Sequence, residues 1–168
     1  SSPINDHTNQ LTNNHIFGEV EYIFIIRTII GFILGCIIGV THGLDKSAAI
    51  SVSLKTYGAV ALGSALLASV YTHLYFTSGE SNSLQNLGTT ITGIGFLCAA
   101  VIFKGTNFVR GLATASTIWT TAGVGIASGC GLFGLAIIAT IILVIFNFIP
   151  SQGTTIHHEK LDNNNNNN

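Results

Sequence analysis

The chain has 168 residues, of which 48% are hydrophobic and 8% charged, with a net charge of −1. Soluble domains carry about 25% charged residues because a hydrated surface needs them, so this composition excludes a water-exposed globule. The absence of a basic excess excludes a nucleic-acid surface.

In chain order, residues 1–21 form a polar N-terminal segment, and residues 1–18, rich in Asn, His and Thr, are expected to lack order. Position 1 is Ser and no Met occurs, which is not expected of a raw translation product. The first apolar run, Tyr22–Val40, follows acidic Asp6, Glu19 and Glu21 rather than a basic segment, and no A-x-A-like site follows it. It therefore reads as a retained span rather than a cleaved signal, and its length of about 28 Å as a helix suits a bilayer. A polar loop, Thr41–Thr56, leads to a second span at Tyr57–Phe76, which carries no acid, Lys or Arg. After the polar stretch Thr77–Gln85 comes a third span, Asn86–Phe103, and then a compact basic loop, Lys104–Arg110. The uncharged stretch Gly111–Ile149 is too long for one span. It divides at Ser128-Gly129-Cys130-Gly131 into a fourth span, Gly111–Ala127, and an Ile-rich fifth through Ile137–Phe148, stopped by Pro150. The tail, 150–168, ends in Asn163–Asn168, which buries nothing and is assigned neither structure nor function. The expected fold is an all-α, polytopic transmembrane bundle of about five spans over residues 22–149.

With five spans, Lys46, Lys55, Lys104, Arg110 and Lys160 share one side, and Asp6, Glu19, Glu21 and Glu80 share the other. The positive-inside rule then sets the N-terminus outside and the C-terminus in the cytoplasm. Gly31, Gly35 and Gly39 repeat every four residues as one smooth stripe, either for close helix contact within the chain or as a homodimer seam. Gly93 and Gly95 are assigned the same packing role in the third span. Thr114, Ser116 and their neighbours make the fourth span small and polar, so its hydroxyls are expected to face other helices. Trp119 is expected to pack in the core with its N–H on a hydroxyl.

The best candidate site is the loop with Lys104, Arg110 and Gly111. A guanidinium beside a helix start favours an anion, a lipid phosphate or a partner's carboxylate, and the plainer reading is a topology anchor. Arg27 lies about 7.5 Å into the first span by helical rise. It reads as a snorkelling or Glu19- or Glu21-paired residue, or as part of a polar pocket between helices. Cys36, Cys98 and Cys130 are too widely spaced for a metal site and read as small packing residues. His42 and His73 fall on opposite faces and share no metal, and His157 and His158 lie in the tail without further ligands. No catalytic site, metal or cofactor is expected: an enzyme needs a nucleophile with a base or paired carboxylates, and every acid lies outside the spans. That distribution also argues against a magnesium transporter, the alternative function, although backbone carbonyls and the fourth-span hydroxyls could line a path.

The stretch TTITGIGFLCAAVIFKGTNFVRGLATASTIWTTAGVGIASGCGL, Thr89–Leu132, closely resembles the signature region of the MgtC/SapB family of bacterial membrane proteins, and SLKTYGAVALGSALL, Ser53–Leu67, resembles the family's entry to its second span. The resemblance covers about residues 22–149 and is strongest from Gly93 to Gly131. It implies a multi-pass protein of the bacterial inner membrane, with a eukaryotic organelle membrane as the alternative location. It links the chain to adaptation to low magnesium and survival inside host cells (virulence). It implies action as a regulator that contacts membrane lipids and other membrane proteins, the membrane ATP synthase among them, and allows a homo-oligomer. The short segment after Pro150 is similar to the shorter, membrane-only, SapB-like branch. Two places depart from the family pattern. Thr41, His42 and Gly43 stand where a charged cluster is usual, and Asn82 and Gln85 stand where an Asp and an Arg are frequent, so functions that need those charges are not carried over.

Overall fold

Among the described residues there are five helices: α1 (Pro3–Leu44), α2 (Ile50–Ser78), α3 (Ser83–Val101), α4 (Leu112–Gly129) and α5 (Phe133–Asn147). A short hairpin of two-residue strands, β1 (Phe103–Lys104) with β2 (Val109–Arg110), joins α3 to α4. This computed structural model describes residues 3–44, 50–79, 83–104 and 109–149. The tail from 150, with Lys160, His157 and His158, lies outside them, as do Lys46, Glu80 and Asn82. The fold is all-α, and among the described residues two helical segments, Glu21–Leu44 and Ile50–Thr77, are long and apolar enough to cross a membrane.

The helices outrun the apolar runs. α1 starts at Pro3, so the polar segment expected to lack order is helical from there onward. Pro is well placed at a first helical position, where its missing N–H is not needed. The expected loop 41–56 also shrinks, because α1 continues to Leu44 and α2 begins at Ile50. Polar residues at these ends satisfy themselves within the helix: Thr41 donates to the Ile38 carbonyl at 2.9 Å and Thr56 to that of Val52 at 2.9 Å. The third span ends two residues early, at Val101, because Phe103 pairs with Arg110 in the hairpin.

The core is a small-residue seam in which α2 lies between α1 and α4. Ala61, Ala65 and Ala68 of α2 are fully buried. On one side Gly31, Gly35 and Gly39 of α1 approach Ala65, Ala61 and the Ser53 carbonyl. On the other, Gly125 and Gly129 of α4 lie against the Ala61 and Ala65 carbonyls. The stripe on α1 is therefore occupied by α2 of the same chain. Gly93 and Gly95 differ: a methyl on either meets nothing within 4 Å, so they do not seat α3 on a neighbouring helix of this chain.

The outer surface is as apolar as the core. Ile23, Ile29, Ile33 and Ile37 of α1 are exposed, as are Ile138, Ile141, Ile142 and Ile145 of α5, which buries only Ala136, Thr140 and Leu143. Water-soluble monomers rarely present apolar patches beyond a few hundred Å², whereas such a surface matches hydrocarbon.

Candidate functional site

Two polar clusters stand at opposite ends of the bundle. The first is the hairpin end, where the loop Lys104–Arg110 was expected to lie. Phe103 and Lys104 pair antiparallel with Arg110 and Val109; residues 105–108, and the side chain of Lys104, lie outside what is described. Gly111 caps α4 in the left-handed region at φ 87°, and a Cβ there would collide with the Val101 carbonyl. Only glycine lets the chain leave the hairpin and enter the helix at this distance from α3. Among the described residues no side chain at the Gly111 cap bonds to the first N–H groups of α4. Arg110 is exposed beside them. The hairpin thus holds a cation and a helix start together, which suits an anionic group.

At the same end, the His42 ring packs 5.1 Å from that of Tyr57, and Asn147 of α5 donates to Thr41 at 3.2 Å. Tyr57 is 2% exposed, and its buried hydroxyl makes no close, well-aligned hydrogen bond among the described residues. His73 sits at the other end, edge-on to Phe24 at 5.4 Å. Among the described residues no three His, Cys, Asp or Glu gather around a common point, and no catalytic constellation is assembled.

The second cluster surrounds the α4–α5 turn. Helix α4 runs through Gly129, past the point where the turn was expected to begin. It closes with Leu132 N–H on the Ala127 carbonyl at 2.8 Å and Gly131 N–H on that of Ser128 at 2.9 Å, with Gly131 at φ 84°. This is a Schellman closure, which requires a left-handed residue and hence glycine. Ser128 donates to the Arg27 carbonyl at 2.7 Å, and Ser69 to that of Gly129 at 3.3 Å, tying α1 and α2 to the turn. The Arg27 side chain turns into this junction. Its Cζ stands 5.3 Å from the Phe24 ring centroid, and its guanidinium lies against Gly131. It makes no ion pair with Glu21, and its Nε is buried without a hydrogen-bond partner among the described residues, outside which the side chain of Glu19 lies.

The hydroxyls of α4 behave differently from expectation. Ser116, Thr117, Thr120 and Thr121 each donate to the carbonyl four residues back, at 2.7 to 2.9 Å. Thr117 and Thr121 are buried against other helices but spend their donor on their own, so they pack across the seam rather than bond across it. Thr114 is half-buried. Trp119, expected in the core, is 52% exposed. On α4 it stands at the edge of the face that buries Ala115 and Ala122, and it lines with Ala115 an open groove of about 390 Å³ toward Gly95 and Cys98 of α3. A second, more apolar groove of about 430 Å³ lies between α1 and α2, bordered by Phe24, Ile29, Leu66, Val70 and His73. The three cysteines are free, with Cys98 buried and Cys36 and Cys130 half-buried. Gly125 and Gly129 are the packing residues that sequence reasoning missed. Their spacing of four, the same as in the first span, was the available signal.

The apolar exterior, the small-residue seam and two helices of spanning length define a helical membrane protein. More particularly, residues 29–154 match the MgtC family, and the chain belongs to it. It is 38% identical over 116 residues to Protein MgtC of Brucella abortus, covering 69% of this chain and 46% of that protein. It is 33% identical over 126 residues to Protein MgtC of Salmonella typhimurium, covering 75% of this chain and 52% of that one. An uncharacterized protein of Synechocystis is 31% identical over 138 residues, 82% of this chain and 56% of its own. The chain spans about half the length of the curated relatives it matches. No solved structure matches.

Proposed function

We propose that this chain is a regulatory, non-catalytic protein of the bacterial inner membrane, spanning it with all five helices, N-terminus outside, and acting through contacts with other membrane proteins. The observation that carries this reading is the hairpin end: an exposed Arg110 fixed beside an uncapped helix start by a glycine that no other residue replaces without collision. In the five-span arrangement that end is cytoplasmic, where the basic residues collect. The contact offered is to a carboxylate or phosphate on a partner, and the membrane ATP synthase is the first partner to test. Adaptation to low magnesium and survival inside host cells are the processes such contacts would serve.

The transport alternative gains nothing specific from the seam, where Thr117, Thr121 and Thr140 donate to their own helices and Ser69 and Ser128 to carbonyls of neighbouring ones. Ion flux through the purified chain in liposomes would favour it.

The test of the regulatory reading is Arg110→Lys. Lysine keeps the charge that sets topology but cannot grip two oxygens in one plane. Loss of such a charge-assisted contact costs about 1.5–3 kcal/mol, which weakens binding about tenfold or more. The variant should reach normal membrane levels yet fail in partner cross-linking and low-magnesium growth. Full activity would reduce Arg110 to an anchor.

A further inference from the structure

At the opposite end of the bundle, Arg27 presents a charge that the described chain leaves without an acceptor. Its Nε is buried with no hydrogen-bond partner, and it forms no ion pair with Glu21, the nearest acid whose side chain is described. A guanidinium carries five N–H donors and no acceptor, and a buried donor left unmade is costly. Yet the surroundings are shaped to hold it. Gly131 gives it room: a methyl there would stand 3.0 Å from Cζ and Nη2 and 3.2 Å from Nε. Phe24 lies beneath it at 5.3 Å and is itself held edge-on by His73. Ser128 fixes the Arg27 backbone to the turn at 2.7 Å. Three helices thus position a cation for which the described residues supply no anion.

Depth narrows the missing acceptor. Arg27 lies six residues beyond Glu21, where the apolar segment of α1 begins, or about 9 Å along the axis. That is the level of the bilayer interface rather than of bulk water. The flanking side chains are lipid-compatible: Ile23, one turn back on the same helix face, is 47% exposed, and Leu132, next to Gly131, is 57% exposed. We propose that Arg27 and the Gly131 turn form a binding site for an anionic phosphate group, seated at the membrane interface on the side where the α4–α5 turn lies. A phospholipid can supply that group with its acyl chains along α1 and α5; free phosphate is the other source. The proposal rests on the membrane-spanning arrangement above and not on the partner role.

The experiment uses the full chain purified in detergent, with native mass spectrometry to count retained phosphatidylglycerol and a thermal shift with inorganic phosphate. The wild type should hold one phosphatidylglycerol tightly. Arg27→Gln should weaken that retention at least tenfold, while Lys55→Gln, which removes an exposed cation at the other end, leaves it unchanged. Stabilisation of the wild type but not Arg27→Gln by inorganic phosphate, without lipid retention, would assign the same site to free phosphate. If Arg27→Gln does not accumulate folded, Arg27→Lys carries the test and should retain the lipid at least threefold less well. Retention equal to wild type in the folded variant, equal loss in Lys55→Gln, or cross-linking of Arg27 to a protein carboxylate in place of lipid would each overturn the proposal. Arg110→Lys should keep the lipid, so failure of the partner role and failure of this site read out separately.

Discussion

The α1–α2 seam makes a sharp prediction at Gly35. Replacing it with Ala adds one methyl, which would collide with the Ala61 methyl and stand 2.8 Å from the Tyr57 carbonyl. Neither neighbour can swing aside: one is a Cβ and the other is backbone, and both belong to a helix also held by Gly125 and Gly129 of α4. Restoring ordinary contact at about 3.5 Å or more means moving α1 away from α2 by several tenths of an ångström, with loss of close packing along Gly31 and Gly39 as well. Overpacking of this kind costs about 1–3 kcal/mol, and in a chain of this size each kcal/mol lowers Tm by about 2–4 °C. The control is Gly63→Ala on α2, where a methyl meets nothing within 4 Å. Thermal unfolding in detergent, followed by the fluorescence of Trp119, should show a fall of about 2–12 °C for Gly35→Ala and no fall for Gly63→Ala. Equal midpoints for the two variants would refute the intrachain seam, and a fall that appears only in an oligomeric fraction would move the stripe to a contact between copies.

Ser128→Ala removes the bond to the Arg27 carbonyl. By the scale of interhelical bonds in membranes it should cost about 0.6–1.7 kcal/mol, read as a lower unfolding midpoint, whereas Thr117→Val, whose hydroxyl serves its own helix, should change it by less. Gly111→Ala should destabilise the chain by more than about 1 kcal/mol, because it meets both a left-handed φ of 87° and the Val101 carbonyl; an unchanged midpoint would mean that the hairpin re-forms without it. In intact cells a membrane-impermeant thiol reagent should label Cys130, in the α4–α5 turn, and spare the buried Cys98. Labelling of Cys130 only after the cytoplasmic side is opened would reverse the proposed orientation.

The number and order of the helices were legible because hydropathy and glycine act over whole segments. The uncharged stretch 111–149 had to divide once, and Gly131 with its left-handed φ marks where. Helix ends were less legible. Thr41 and Thr56 look like loop residues by polarity, but each hydroxyl closes on a carbonyl of its own helix, so polarity there does not interrupt the backbone. The same chemistry misdirects the reading of α4: a Thr-rich span suggests bonds between helices, while Thr117 and Thr121 donate within the helix and it is Ser128, at its end, that donates to α1. For Trp119, periodicity alone does not say which face of a small-residue helix is covered. That depends on where α3 sits, and a methyl at Gly93 or Gly95 would meet nothing to pull it closer.

The two ends of the bundle also differ in how they are held, and the difference bears on where a partner would act. At the α4–α5 turn, α1, α2 and α4 are cross-tied by Ser128 and Ser69, and the glycines of α4 lie directly on α2 carbonyls. That end is braced by contacts whose length leaves no slack. At the hairpin end the contacts between helices include Asn147 to Thr41 and the His42 ring on Tyr57, and α3 faces α4 across an open groove. Under the proposed function a partner at the hairpin would meet α3, which lies outside the small-residue seam, whereas one at the turn would meet the cross-tied frame. Energetic coupling needs an element with two arrangements available to it. Under the proposed function the candidate for that element is α3 with its hairpin, since Arg110 and Gly111 stand at the joint where it meets α4.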